Sequence, residues 1–446
     1  MMGLLIEEIL IYGIVAIICL IVVWIYLRKN KSSSSLTQQK VDIAKAEGRF
    51  EPVSLYPHID LNTCIGSGAC IKACPEQDIL GIVDDKATAI NASACIGHGA
   101  CFHACPVEAI TLRIGTATRG VDLPHVKPTY ETNVSGIYIA GELGGMGLIK
   151  NSIEQGKQAV ENIAKSTKKK IEGIPDLVII GAGPAGIGGA LTAKKNGLDV
   201  VVLDQDSLGG TVSNFPRTKI VMTRPVDLPL YGKVKFNETS KSELLKVWNE
   251  ALSNNEIKIE EHVKVDKITP LVDNSLKVIS NDGREWQTNH VLLAIGRRGS
   301  PRKLGIPGEE SEKVAYKLLE PERISGKKIM VVGGGDSAVE SAMLLMEENE
   351  VTLSYRKEKF ARIKPKNQER INEAIEKGYV KPLFNSNLIS IEPDKIQLQV
   401  NAENGEAVSI ENDLVYIFIG GELPTKFLEN AGVTITKRFG QIMKKH

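Results

Sequence analysis

The stretch DLVIIGAGPAGIGGALTAKKNGLDVVVLDQD, residues 176–206, decides the fold. An apolar strand runs into glycines at 181, 183 and 186, a helix follows, and a second apolar strand ends at Asp204. This is the pattern of a βαβ dinucleotide unit, in which Gly181, Gly183 and Gly186 let backbone and helix N-terminus meet a pyrophosphate. The acid about 20 residues on, here Asp204, hydrogen-bonds a ribose in such units. One copy is weak evidence, because glycine also serves close helix packing. The pattern recurs, however, in KIMVVGGGDSAVESAMLLMEENEVTLSYRK, residues 328–357, with Gly333, Gly335 and Ala338 in the three places. Between the two copies, VLLAIGRRG (residues 291–299) reads as an apolar strand ending at Gly296.

The N-terminal third carries different chemistry. CIGSGACIKACP, residues 64–75, returns as CIGHGACFHACP, residues 95–106. Iron–sulfur ligand runs of the form C-x2-C-x2-C-x3-C-P have four cysteines; here Ser67 and His98 stand in the second place. Six of the seven cysteines fall in these two runs (Cys64, Cys70, Cys74, Cys95, Cys101 and Cys105), and the seventh, Cys19, lies in an apolar stretch. Clustered thiols point to metal in a reducing compartment rather than to a disulfide scaffold. Zinc competes with iron at the second run, where Cys95, His98, Cys101 and Cys105 could form a Cys3His site. The first run would offer zinc a serine, a poor ligand.

The chain of 446 residues has a net charge of +1, so nothing argues for nucleic acid. Residues 9–27 are apolar and uncharged, about 28 Å as a helix and enough to span a bilayer core. Glu7 and Glu8 precede them, and Arg28, Lys29 and Lys31 follow. The positive-inside rule then places the N-terminus outside and the soluble body in the cytoplasm. KSSSSLTQQ, residues 31–39, reads as a polar tether.

The paired cysteine runs, each followed by a short apolar strand, resemble two-cluster bacterial ferredoxins over about residues 59–115. The resemblance implies two iron–sulfur clusters, [4Fe–4S] or three-iron, with the fourth cysteine of each run crossing to the other site. One site would take Cys64, Cys70 and Cys105, the other Cys95, Cys101 and Cys74. Ser67 and His98 are then fourth ligands, markers of an open iron, or loop residues.

The order of Gly181 motif, LLAIG and Gly333 motif resembles flavoprotein reductases of the thioredoxin reductase type over most of residues 176–446. That implies FAD in the first dinucleotide domain and NAD(P)H in the second. Arg356, Lys357 and Arg362 fall where the family clamps the 2′-phosphate of NADPH, so NADPH is expected over NADH. Two departures stand out. Thioredoxin reductases carry a Cys-x-x-Cys before the second glycine motif, whereas this chain has no cysteine after Cys105. The family's closing strand and helix are also missing from the C-terminal end. They resemble instead ETNVSGIYIAGELGGMGLIKNSIEQGKQAVENIAK, residues 131–165, where Gly141 and Glu142 take the place of residues that meet the flavin ribityl chain.

The expected fold is therefore α/β, with two Rossmann-like domains, a small α+β ferredoxin-like domain and one N-terminal transmembrane helix. The expected parts are an anchor (1–28), a linker (29–58), a ferredoxin-like domain (59–116) and a permuted element of the FAD domain (117–175). An FAD domain (176–300), an NAD(P)H domain (301–420) and a return segment (421–446) complete the chain. The function expected is that of a membrane-anchored NAD(P)H-dependent iron–sulfur flavoprotein. Its partners would be the membrane, an electron-transfer protein and a second copy of the chain. A non-turnover redox sensor and a low-molecular-weight disulfide reductase are the alternatives. No residue stands out as a catalytic acid, base or nucleophile, which suits hydride transfer by cofactor positioning.

Overall fold

The computed structural model describes residues 2–52, 55–76, 78–95, 97–145, 147–166, 173–215, 220–222, 225–235, 238–297, 301–360, 363–401, 405 and 407–444. They form two compact units, Met1–Arg119 with Gly440–His446, and Gly120–Phe439.

The first unit begins with α1, a single helix over Met2–Ala46. Its portion Leu10–Ala46 contains the one helix among the described residues long and apolar enough to cross a membrane. The polar stretch after the apolar run is thus helical, which corrects the tether expected at residues 31–39. The cause is a stripe of small or apolar side chains. Asn30, Ser34 and Thr37 are half-buried and Val41 and Ala44 are buried, on one face at alternating spacings of four and three. Beyond α1 come β1 (Tyr56–Ile59), α2 (Ala69–Ala73), β2 (Leu80–Val83), β3 (Lys86–Ala89), α3 (Ala100–Ala104) and β4 (Ile110–Ile114). β2 and β3 form a hairpin, and β1 and β4 pair antiparallel. The C-terminal strand Gln441–Lys444 adds to the free side of β4. The end of the segment 421–446, expected to return to the FAD domain, thus joins the first unit instead, and the strand before it does not. That strand, Ile435–Arg438, pairs with β5 (Val121–Pro124) in the second unit.

The second unit holds two parallel five-stranded sheets. The first includes β6 (Ile137–Ile139), β7 (Leu177–Ile180) and β8 (Val200–Leu203). Its order is Ile259–Glu260, β8, β7, His290–Leu293, β6. β7 is buried along its whole length because the sheet is covered on both faces, which is why its sequence is a continuous apolar run. On one face, α4 (Ile149–Ser166) packs against α5 (Pro184–Lys195). Glycines on both helices allow the contact: a Cβ on Gly156 would collide with the Ala185 carbonyl oxygen, and one on Gly188 would lie 2.6 Å from that of Ile153. The second sheet has the order Val314–Ala315, Leu414–Ile417, Lys328–Val332, Glu350–Tyr355, Val380–Phe384. A three-stranded antiparallel sheet accompanies each parallel one, Val265–Pro270 with its partners and Ser386–Ile391 with its partners.

Candidate functional site

The first glycine turn is built from three different constraints. Gly181 has φ 106°, and a Cβ there would lie 2.6 Å from the Ala294 carbonyl oxygen on the adjoining strand. A Cβ on Gly186 would be driven into the Gly181 carbonyl oxygen, so this glycine sets how closely α5 sits on β7. Gly183 differs: it caps α5 in an extended conformation, and nothing lies nearer its missing Cβ than Gly210 Cα at 3.9 Å. The space before the helix N-terminus is a cradle that a side chain would fill. It fits a pyrophosphate held by backbone N–H groups.

Asp204 is buried at the end of β8 and is tied to this turn. Its Oδ2 accepts from the Ala182 N–H at 2.5 Å and its Oδ1 from the Asp206 N–H at 2.8 Å. Burial raises its pKa, and these two N–H groups pull the other way. Its carboxylate braces the loop from within, a role the sequence pattern does not reveal. Two glycines unremarked in the sequence also close on the turn. The Gly209 N–H donates to the Ala182 carbonyl, and a Cβ on Gly210 would stand 3.1 Å from Gly183 Cα. The signal for them was a glycine pair six residues after β8.

Gly141, at φ 85°, ends β6 against the first turn of α5, where its missing Cβ faces Ala185 Cβ at 3.1 Å. Its N–H donates to Gln155 Oε1 on α4, and Glu142 opens a short 3-10 turn. Gly296 has φ 67° with open space beside it. Arg297, next in the chain, is half-buried; burial lowers its pKa while Glu142 and Asp122 raise it. Arg297 and Asp122 line one cavity with Leu143, Leu423 and Thr425.

The second glycine turn repeats the design. Gly333, at φ 141°, approaches the Phe418 carbonyl, Ala338 is fully buried, and Gly335 faces open space ahead of the helix Asp336–Leu345. Gly334 lies under the ring of Tyr355. That tyrosine, rather than an acid, ends the second strand, and the exposed Arg356 and Lys357 follow it. Arg362 lies outside the described residues. Asp336 Oδ1 accepts from the Lys364 N–H and from Asn367 Nδ2, which fastens the start of the helix Pro365–Glu376 to this turn.

In the first unit the two cysteine runs adopt one backbone. Gly66 and Gly68 before α2, like Gly97 and Gly99 before α3, all have φ between 66° and 73°. Cys64, Ser67, Cys70 and Cys105 line a cavity of about 300 Å³, mouth included, with Ile59, Ile65 and Ala109 among its walls. The donor set is three sulfurs and a hydroxyl. Backbone N–H groups already point at the sulfurs: Ala87 and Gly66 donate to Cys64 Sγ (3.4 and 3.5 Å) and Ala109 to Cys105 Sγ (3.2 Å). Such bonds favour thiolate and tune a cluster. At the other site, burial, with Cys95 and Cys74 nearby, pushes the Cys101 thiol up to about 12. Burial likewise pushes Cys95, beside Cys74, up to about 11. His98, half-buried between Gly97 and Gly99, occupies the slot of Ser67.

A family profile described as pyridine nucleotide-disulphide oxidoreductase matches residues 178–444, well over half of the chain. The chain belongs to this family. A second profile, a 4Fe-4S dicluster domain, matches residues 56–106. The ferredoxin–NADP reductase of Ignicoccus hospitalis is 29% identical over 265 residues, 58% of this chain and 82% of that one. The thioredoxin reductase of Bacillus subtilis is 29% identical over 280 residues, 59% of this chain and 79% of that one. Among solved structures, a bacillithiol disulfide reductase from Bacillus cereus superposes with a TM-score of 0.51 at 22% identity. It covers 61% of this chain and 85% of its own, a likeness of fold alone. This oxidoreductase is thus an FAD- and NADPH-dependent enzyme with a 4Fe–4S dicluster unit.

The dicluster profile over residues 56–106 favours clusters over the zinc alternative. A zinc site gathers four ligands within about 2.3 Å of one ion. Cys105, which the Cys3His site needed, instead borders the cavity of Cys64 and Cys70.

Proposed function

We propose that this oxidoreductase is a membrane-anchored electron carrier that links NADPH to a redox partner through its own ferredoxin-like unit. Relatives include proteins named ferredoxin–NADP reductase; here a dicluster unit is part of the chain. The observation that carries the reading is the distribution of thiols. Every cysteine beyond Cys19 belongs to a cluster run and none follows Cys105, so the flavoprotein half has no dithiol to reduce.

When bound, FAD accepts a hydride from NADPH and the clusters carry single electrons. The protein supplies the cradle at Gly183, the brace of Asp204 on Ala182, and Gly141 and Glu142 beside the first turn of α5. Arg356 and Lys357, with Arg362, hold the 2′-phosphate of NADPH. The segment 117–175 is a circularly permuted end of the FAD domain; the parallel pairing of β6 with His290–Leu293 supports this. The apolar run of α1 anchors the chain, with the basic residues 28, 29 and 31 on the cytoplasmic side.

Anaerobic titration with NADPH tests the proposal. It should bleach the flavin band and then raise the electron paramagnetic resonance signal of reduced clusters. Bleaching with silent clusters, accompanied by NADPH-dependent reduction of an added low-molecular-weight disulfide, would instead make the chain a disulfide reductase. A flavin untouched by NADPH would leave a sensor.

A further inference from the structure

The turn between β2 and β3 is held from two sides. Asp84 and Asp85 both have positive φ, 47° and 59°, a conformation that asparagine or glycine fills at lower cost. On one side α1 supports this turn. Asn30 Nδ2 donates to Asp85 Oδ1 at 2.8 Å, and the Asp84 N–H donates to Ser34 Oγ at 3.0 Å. A turn further on, Thr37 sits so close to the hairpin that a Cβ on Gly81 would lie 2.5 Å from its Cγ2. Lys40 then pairs with Asp78 at 2.7 Å. On the other side, the Asp85 carbonyl presses on Gly66, inside the Cys64–Cys70 ligand loop. Lys86 Nζ donates to the Cys64 carbonyl at 2.6 Å. One short turn therefore joins the helix to the first cluster site. Asn30 stands two residues beyond Arg28, about 3 Å of axial rise from the basic end of the apolar run.

We infer that α1 is a rigid strut that holds the ligand loop of the Cys64, Cys70 and Cys105 site at the bilayer surface. This site, and not that of Cys95, Cys101 and Cys74, is then the one offered to an electron carrier embedded in the membrane. A flexible tether would give neither site precedence. Leu61 and Ile65, flanking Cys64, are 56% and 63% exposed and give that face an apolar rim suited to such a partner. The inference rests on the anchored iron–sulfur reading above.

Two measurements on the full chain in nanodiscs test it. In the first, hydrogen exchange is followed across residues 31–46. A packed strut should exchange at least about 100-fold more slowly than free chain, and Thr37→Trp, which wedges the helix off the hairpin, should remove most of that protection. Exchange at free-chain rates, or protection indifferent to Thr37→Trp, overturns the strut. In the second, nanodiscs carry a gadolinium-chelate lipid, and spin relaxation of each reduced cluster is measured. The first site is identified as the signal that Ser67→Cys alone shifts. That signal should relax faster with gadolinium lipid, by more than the other, and a Gly-Gly-Ser-Gly-Gly insertion after Ser34 should abolish the difference. Equal enhancement, or greater enhancement of the second site, overturns the assignment. Absence of any cluster signal would sink the iron–sulfur reading, and failure to partition into nanodiscs would sink the anchor. Hydrogen exchange decides the strut without any cluster signal, and for a chain that does not partition it does so in detergent.

Discussion

Gly183 and Gly186 stand one helical turn apart, and substitution separates their roles. Gly186→Ala forces a methyl into the Gly181 carbonyl oxygen, backbone that yields only by moving α5 off β7. Thermal unfolding should show a loss of about 3 kcal/mol. Gly183→Ala meets nothing nearer than Gly210 Cα, at an ordinary contact distance of 3.9 Å, and keeps an ordinary φ of −77°. It should fold with an unchanged melting temperature yet bind FAD at least about tenfold more weakly, because the methyl occupies the pyrophosphate cradle. Full flavin occupancy in that variant would remove the site. At the second turn the discriminating residue is Arg356. A lost charge-assisted contact to a phosphate is worth about 1.5–3 kcal/mol, so Arg356→Ala should raise KM for NADPH about tenfold or more while leaving KM for NADH in place. Equal effects on both cofactors would mean that Arg356 does not read the 2′-phosphate.

Among the elements, β6 depends on a contact that carries its own pH signature. Tyr138 on β6 meets His290, the first residue of the neighbouring strand, edge to face at 5.8 Å. His290 is kept neutral: burial lowers its pKa against the upward pull of Glu131 and Asp176, and its Nδ1 has no hydrogen-bond partner among the described residues. A base with a lowered folded pKa adds stability that is fully present above its unfolded pKa of about 6.5. That stability drains away as pH falls below this value toward the folded pKa. Melting temperatures taken from pH 7.5 to 5.5 should therefore fall for the wild type, and His290→Phe should flatten the slope. An unchanged slope would mean the imidazole protonates freely in the fold. α1 shows the opposite case, an element whose packing the sequence concealed. Its packed stripe is made of the half-buried Asn30, Ser34 and Thr37 and the buried Val41 and Ala44, and most of these are residues that composition alone assigns to a linker. Their spacing is the readable signal, and it is faint because small polar side chains carry almost no hydrophobic periodicity.

At the scale of the molecule, the two cysteine runs of the first unit meet at one cavity. Cys105 follows α3, yet it lines the cavity of Cys64 and Cys70. Cys105→Ala should therefore abolish the same paramagnetic signal as Cys64→Ala and spare the signal that depends on Cys101. If Cys105→Ala instead erased the Cys101-dependent signal, each run would ligate its own cluster. The strand Gln441–Lys444 adds a second long-range tie, because the last residues of the chain complete a sheet begun at residue 56.

Some of this was determined by sequence alone. The two βαβ units, the repeated cysteine runs and the apolar N-terminal segment are local patterns, because turn glycines, strand periodicity and ligand spacing are fixed by neighbours a few residues away. Other features were decided only by the tertiary structure. Asp204 turned inward to the Ala182 N–H, Gly209 and Gly210 closed over the first turn, Arg297 came to face Glu142 and Asp122, and α1 seated itself on the Asp84–Asp85 turn. In each case the partner lies far away along the chain or is a backbone group with no signature of its own. A single sequence records what each residue can do, whereas the choice among partners is made by packing.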